Sequence, residues 1–121
     1  MPGILIIDDN RELRDFMRLI LEEAGHQVRE ASDGAEGIRS YAQQPADLVI
    51  CDVFMPGKEG LETIQELRSR FPGVRVISMS GGSAATPGNY LAMAKAFGAA
   101  GTLNKPFGVA DLLEAIRKVL D

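Results

Sequence analysis

Ile4-Leu5-Ile6-Ile7-Asp8-Asp9-Asn10 sets four consecutive large apolar residues directly against two carboxylates. A short apolar run without polar alternation, followed by a helix-period segment, predicts a parallel strand covered on both faces. The same arrangement recurs at Leu48-Val49-Ile50-Cys51-Asp52. In an open α/β sheet, ligands bind beyond the carboxyl ends of the strands, where the strand order reverses. Asp8, Asp9 and Asp52 are therefore expected to meet at one edge of a sheet. Three carboxylates there would repel one another, so the cluster predicts a divalent cation among them.

Outward from these strands the apolar spacing becomes helical. Leu13, Phe16, Met17, Ile20, Leu21 and Ala24 recur at three and four residues, with Asn10 as N-cap and Gly25 as terminator. Gln27–Ala31 is a short second strand, the least apolar of the set. Asp33 caps a second helix near Ala35–Gln43, which ends before Pro45. Met55-Pro56-Gly57 forms a turn, Leu61, Ile64, Leu67 and Phe71 mark a third helix, and Pro72-Gly73 breaks it. Val74, Val76 and Ile77 form a fourth strand running to Ser80. Gly81–Gly88, rich in small residues and breakers, reads as a mobile loop before an Ala-rich helix over Asn89–Phe97. A short fifth strand around Thr102–Leu103 leads to Lys105-Pro106, and the last helix shows Val109, Leu112, Leu113, Ile116, Val119 and Leu120 on one face. Strand and helix alternate five times, which predicts an α/β class: a doubly wound five-stranded parallel sheet with five helices and right-handed crossovers. Residues 1–121 read as one domain, without linkers or repeats.

Composition narrows the function. A hydrophobic fraction of 45% and a charged fraction of 25% are ordinary for a globular protein. A net charge of −4 argues against a nucleic-acid partner, since such domains carry a basic patch. No apolar stretch has the length to span a bilayer, and Ile4–Ile7 is too short for a signal peptide. The single cysteine, Cys51, excludes an internal disulfide and fits a reducing compartment, so a cytoplasmic location is expected. Cys51 should be a small core residue, because neighbours along a strand face opposite sides. His26, the only histidine, lies at a turn, so a phosphodonor or metal role is not expected of it. Arg11, Arg14 and Arg18 interleave with Glu12 and Asp15, the pattern of a solvated helix face.

Four elements fall at strand ends: the Asp8-Asp9 pair, Asp52, Ser80 and Lys105. Alone, each has a bland reading, the acids as helix caps and the Ser and Lys-Pro as turn residues. Together, on separate strands at one edge, they suit phosphoryl transfer to a carboxylate. An aspartate can act as nucleophile and form an acyl phosphate. Such transfer depends on positioning and on neutralising charge at the equatorial oxygens. Asp8 and Asp9 would hold Mg²⁺, Lys105 would offer an ammonium to a phosphoryl oxygen, and Ser80 would donate its hydroxyl to another.

Over essentially its whole length the chain resembles the receiver domains of two-component response regulators. The resemblance rests on Asp8-Asp9-Asn10, on Asp52 followed by Met55-Pro56-Gly57 and Gly60-Leu61-Glu62, on Ser80-Gly81, and on Lys105-Pro106-Phe107. It implies that Asp52 is the phosphoacceptor, with Asp9 and Asp52 as direct Mg²⁺ ligands, Asp8 acting partly through water, and the Phe54 carbonyl completing the site. Ser80 and Lys105 are similar to the family's phosphate-contacting pair. The implied fold is flavodoxin-like with strand order 2-1-3-4-5, and the implied Lys105–Pro106 peptide is cis, which X-Pro bonds tolerate at modest cost. The implied partners are a histidine kinase or histidine phosphotransfer protein, docking on the first helix and the loop after the fifth strand, and a downstream protein target. A monomer or a weak phosphorylation-dependent dimer is expected, of single-domain type. Its only catalysis would be its own phosphorylation and dephosphorylation.

Two positions depart from the pattern. Thr102 stands where many receivers carry a Tyr or Phe that swings on activation, so the output route must do without a moving ring. Twenty-five positions separate Ser80 from Lys105, a few more than expected, with the excess assigned to Gly81–Gly88. The Phe54 ring would flank the path of a hydrolytic water and slow loss of the phosphoryl group. One alternative is a receiver-like interaction module that no longer uses phosphorylation. Another is an aspartate-nucleophile phosphatase, disfavoured because neither Asp8-Asp9-Asn10 nor Asp52-Val53-Phe54 has the Asp-x-Asp spacing.

Overall fold

Five strands and the helices between them account for the described chain. β1 is Gly3–Ile7, α1 Arg11–Glu23, β2 Gln27–Ala31, α2 Gly34–Gln43, β3 Leu48–Asp52, α3 Gly60–Arg70, β4 Val76–Ser80, β5 Gly101–Asn104 and α4 Val109–Leu120. The computed structural model describes residues 3–53, 60–80 and 98–120. The turn Met55-Pro56-Gly57, the loop Gly81–Gly88 and the fourth expected helix, Asn89–Phe97, lie outside those residues. Among the described helices, none is long and apolar enough to cross a membrane.

All strand pairs are parallel, in the order β2-β1-β3-β4-β5. The central strands carry the apolar runs because both their faces are covered. Ile4, Leu5, Ile6 and Ile7 are each at most 1% exposed, and every residue of β3 and β4 is buried. Each such side chain contributes about 1.5–3 kcal/mol by leaving water. The edge strands β2 and β5 are only partly covered, which explains their more polar sequences.

Side-chain alternation divides the core in two. Leu5, Ile7, Val49, Cys51 and Val76 pack against Ile38 and Tyr41 of α2 and Leu61, Ile64 and Leu67 of α3. Ile4, Ile6, Leu48, Ile50, Ile77 and Met79 pack against Met17 and Leu21 of α1 and Leu112 and Ile116 of α4. The chain runs outward from β1 to β2, then back past β1 to β3. Right-handed crossovers in opposite directions put helices on opposite faces, as α1 and α2 are here.

Helix ends follow local chemistry. The Asn10 side chain accepts from the Leu13 amide, and Asp33 accepts from the Glu36 amide. Gly25 takes φ 97° just past α1, a left-handed conformation that glycine adopts without steric cost. Three residues counted on apolar faces are instead exposed: Phe16 at 41%, Val109 at 47%, and Ala24 at the C-cap of α1. Phe16 lies about 100° around the helix from Met17, at the flank of the stripe. Val109 is the first residue of α4, ahead of the turn that meets the sheet.

Gly60 opens α3 directly against the end of β3. A Cβ there would stand 1.8 Å from the Asp52 carbonyl oxygen and 2.4 Å from the Val53 Cα, both backbone atoms that cannot turn aside. Gly60→Ala should therefore destabilise the protein by on the order of 3 kcal/mol. The urea midpoint measures this, and a shift equivalent to less than about 0.5 kcal/mol would contradict the close approach.

Candidate functional site

Strand order reverses between β1 and β3, the two strands that carry the acids. Asp8 follows the last residue of β1, and Asp52 is the last residue of β3. One carboxylate oxygen from each of Asp8, Asp9 and Asp52 lies within 4.8 Å of the others. Asp8 and Asp52 are buried, at 0% and 4% exposure, whereas Asp9 is exposed.

Lys105 reaches the cluster from just beyond β5. Its Nζ donates to Asp8 Oδ2 at 2.9 Å and to Asp52 Oδ2 at 3.2 Å. Its backbone amide donates to the Ser80 carbonyl at 2.8 Å, which ties the end of β5 to the end of β4. The Lys105–Pro106 peptide is cis. Burial alone would lower the Lys105 pKa, but the hydrogen bond to Asp8, the charges of Asp52 and Asp8, and the bond to Asp52 outweigh it. The ammonium is thus held above its ordinary value and is charged at neutral pH.

The remaining oxygen of Asp8 is also engaged. Asp8 Oδ1 accepts from the Asn10 amide at 2.8 Å, while the Asn10 side chain caps α1. One residue therefore links the acid to the positive end of a helix, where a carboxylate is favoured. With both Asp8 oxygens holding protein donors, exposed Asp9 is the acid with most freedom to meet an incoming ion.

The sequence-predicted residues Asp8, Asp9, Asp52 and Lys105 are brought together. Ser80 is buried at the end of β4, one residue past the Asp52–Met79 pair, and is joined to Lys105 through its backbone. Phe54 lies outside the described residues. Thr102 pairs with Ser78 within β5 and is half-buried. Cys51 is buried, and burial pushes its thiol pKa well up, as suits an inert core residue.

Arg14 does not belong to a solvated face, and Arg18, with its side chain 42% exposed, is nonetheless tied to β2. Arg14 Nε donates to Glu30 Oε1 at 2.9 Å, Arg18 Nη1 donates to Glu30 Oε2 at 2.7 Å, and Arg14 Nη1 donates to the Asp8 carbonyl at 2.7 Å. The available signal was Glu30 itself, a charge within a strand and flanked by residues that pack into the core, which calls for a partner.

The donor set fits a hard divalent cation: it offers carboxylate oxygens, without the sulfur or imidazole ligands that select transition metals. Mg²⁺ keeps several of its waters, so the acids need not all touch it directly.

The family model described as the response regulator receiver domain matches residues 4–117. The chain belongs to that family. The receiver is 33% identical over 119 residues to the chemotaxis protein CheY of Halobacterium salinarum, across 97% of this chain and 95% of the relative. It is 38% identical over 120 residues to the transcriptional activator protein ExaE of Pseudomonas putida, across 98% of this chain and 55% of the relative. The chain thus spans about half the length of some curated relatives that it matches. Among solved structures, the chemotaxis protein CheY4 of Vibrio cholerae aligns with a TM-score of 0.89 at 30% identity, covering 99% of both chains. A CheY-like receiver domain protein from Methanospirillum hungatei aligns with a TM-score of 0.91 at 29% identity, covering all of this chain and 94% of the other.

Because the Lys105 pKa is raised from 10.5, its stabilisation is present below that value and is lost as pH climbs through the folded-state value. In metal-free buffer, Lys105→Met should lower stability by on the order of 2–3 kcal/mol near neutral pH, since it leaves two buried carboxylates without their counter-charge. The gap to the parent should shrink only at pH above the ordinary lysine value, as the parent also loses the ammonium. Urea unfolding across that range measures both, and a gap independent of pH would contradict the ion-pair account.

Proposed function

We propose that the receiver accepts a phosphoryl group on Asp52 from a phosphohistidine donor and passes the resulting change of state to a separate protein. The observation that carries this reading is the Lys105 ammonium, held 3.2 Å from Asp52 Oδ2 and 2.9 Å from Asp8 Oδ2 at the reversal of strand order. It is supported by membership of the receiver family.

In the transfer, an Asp52 carboxylate oxygen attacks phosphorus as the bond to the donor's imidazole nitrogen breaks, and the imidazole leaves with the electron pair. The product is an acyl phosphate, and no external oxidant or base is consumed. Bound Mg²⁺ would supply charge to neutralise the equatorial phosphoryl oxygens, held by Asp9 and Asp52 directly, by Asp8 partly through water and by the Phe54 carbonyl. Lys105 keeps its bond to Asp8 and turns the rest of its donor capacity to a phosphoryl oxygen. Ser80, at the end of the neighbouring strand, donates its hydroxyl to another. On this reading the chain catalyses only its own phosphorylation and dephosphorylation.

The donor is a histidine kinase or a histidine phosphotransfer protein, and the site of action is the cytoplasm. The output is a changed surface read by another protein. Thr102 has no ring to swing, so the signal leaves by a route other than rotation of an aromatic side chain on β5.

Incubation with Mg²⁺ and a small acyl-phosphate donor should add the mass of one phosphoryl group to the intact protein. The label should survive acid, be lost in base, and be absent from Asp52→Ala. A label that persists in Asp52→Ala, or none in the parent, would overturn the assignment.

A further inference from the structure

Asp8 ends its ladder early. Its amide donates to the Ala31 carbonyl at 3.1 Å, but β2 stops at Ala31. A continuing ladder would offer the next amide of β2 to the Asp8 carbonyl. That carbonyl instead accepts from Arg14 Nη1 at 2.7 Å. It belongs to the peptide that joins Asp8 to Asp9, and a peptide unit is planar. Holding its oxygen therefore fixes the plane from which Asp9 departs.

Arg14 is itself held at both ends. Its amide bonds the Asn10 carbonyl in the first turn of α1, and its Nε bonds Glu30. Glu30 pairs with Ile6 across the β1–β2 ladder, so its carboxylate rises on the face that α1 covers. Its second oxygen takes Arg18 Nη1, and Arg18 is steadied in turn by Glu22 at 3.1 Å. Arg14 and Glu30 side chains are 14% and 20% exposed, so the pair is shielded from the screening that empties surface ion pairs of value. Burial acts to raise the Glu30 pKa, but the bonds from Arg18 and Arg14 hold it below the ordinary carboxylate value.

We infer that Arg14, braced by Glu30, is a positioning residue for the cation site, fixing the Asp8–Asp9 peptide so that the Asp9 carboxylate is presented to the ion. This rests on the cation-assisted reading given above. Two physical effects of Arg14 have opposite signs, and this makes the inference decisive. As a positive charge near the acids, Arg14 repels a cation, so charge alone predicts tighter Mg²⁺ binding when it is removed. As a holder of the peptide, it predicts weaker binding. Lysine cannot replace it, because a single ammonium on a flexible stem lacks the planar fork that meets Glu30 and the carbonyl together.

The test measures the Mg²⁺ dissociation constant of the unphosphorylated full chain by calorimetry, with thermal unfolding recorded in parallel. The parent is compared with Arg14→Met, Arg14→Lys and Glu30→Gln. Positioning predicts about tenfold weaker binding for Arg14→Met, the range found for residues that orient metal ligands. Arg14→Lys should remain weak although its charge is kept, and Glu30→Gln should lose a smaller factor. Tighter binding in Arg14→Met, or an unchanged constant with only a lowered melting temperature, overturns the inference while leaving the proposed function standing. No saturable binding by the parent overturns both. Should Arg14→Met fail to fold, Arg14→Lys decides on the same criterion.

Discussion

Two buried carboxylates, from the ends of neighbouring strands, face each other, and one ammonium lies between them. The Lys105 bonds to Asp8 and Asp52 make that arrangement tolerable, since an uncompensated buried charge costs several kcal/mol. With Asp9 added, three carboxylates crowd this edge, where among the described residues Lys105 bonds two of them and the Arg14 guanidinium holds the Asp8 carbonyl. A divalent cation is the simplest species to balance them. The proposed chemistry grows from the same crowding, because a phosphoryl group arriving at Asp52 needs that negative charge turned into attraction by a metal.

The rest of the molecule supports this edge from below. Parallel pairing points every strand's carboxyl end the same way, so residues from four separate parts of the chain reach one place. The two apolar layers hold the sheet from opposite sides, and the central strands have no exposed face along which to slide. Polar struts take over where the apolar contacts end. Asn10 joins Asp8 to the start of α1, Glu30 gathers two arginines from that helix, and Gly60 brings α3 against the Asp52 carbonyl.

Features set by neighbouring residues were legible in the sequence. The apolar runs, the Asn10 and Asp33 caps and the Gly25 terminator depend on residues within a few positions of each other, and all were expected where they are found. The convergence of Asp8, Asp9, Asp52 and Lys105 was also legible, because a parallel sheet leaves few places for strand-end residues to go. What depends on how a particular helix packs against the sheet was not. A spacing pattern counts Phe16 with Met17, and only the packing of α1 shows that the stripe is narrower. Arg14 looks solvated until β2 is laid beside it. Nothing in the pair Asp8-Asp9 separates a sealed acid from an exposed one; that difference comes from which face of the sheet edge each side chain leaves.

The bond between Lys105 and Asp8 closes a span of 97 residues, and its parallel bond to Asp52 closes 53. A chain emerging from the ribosome therefore exposes all of its clustered acids well before the group that neutralises them has been made. Up to that moment the amino-terminal strands carry these acids without the Lys105 ammonium that bonds two of them. The last short strand does more than finish the sheet: its arrival is the event that makes the edge electrostatically habitable.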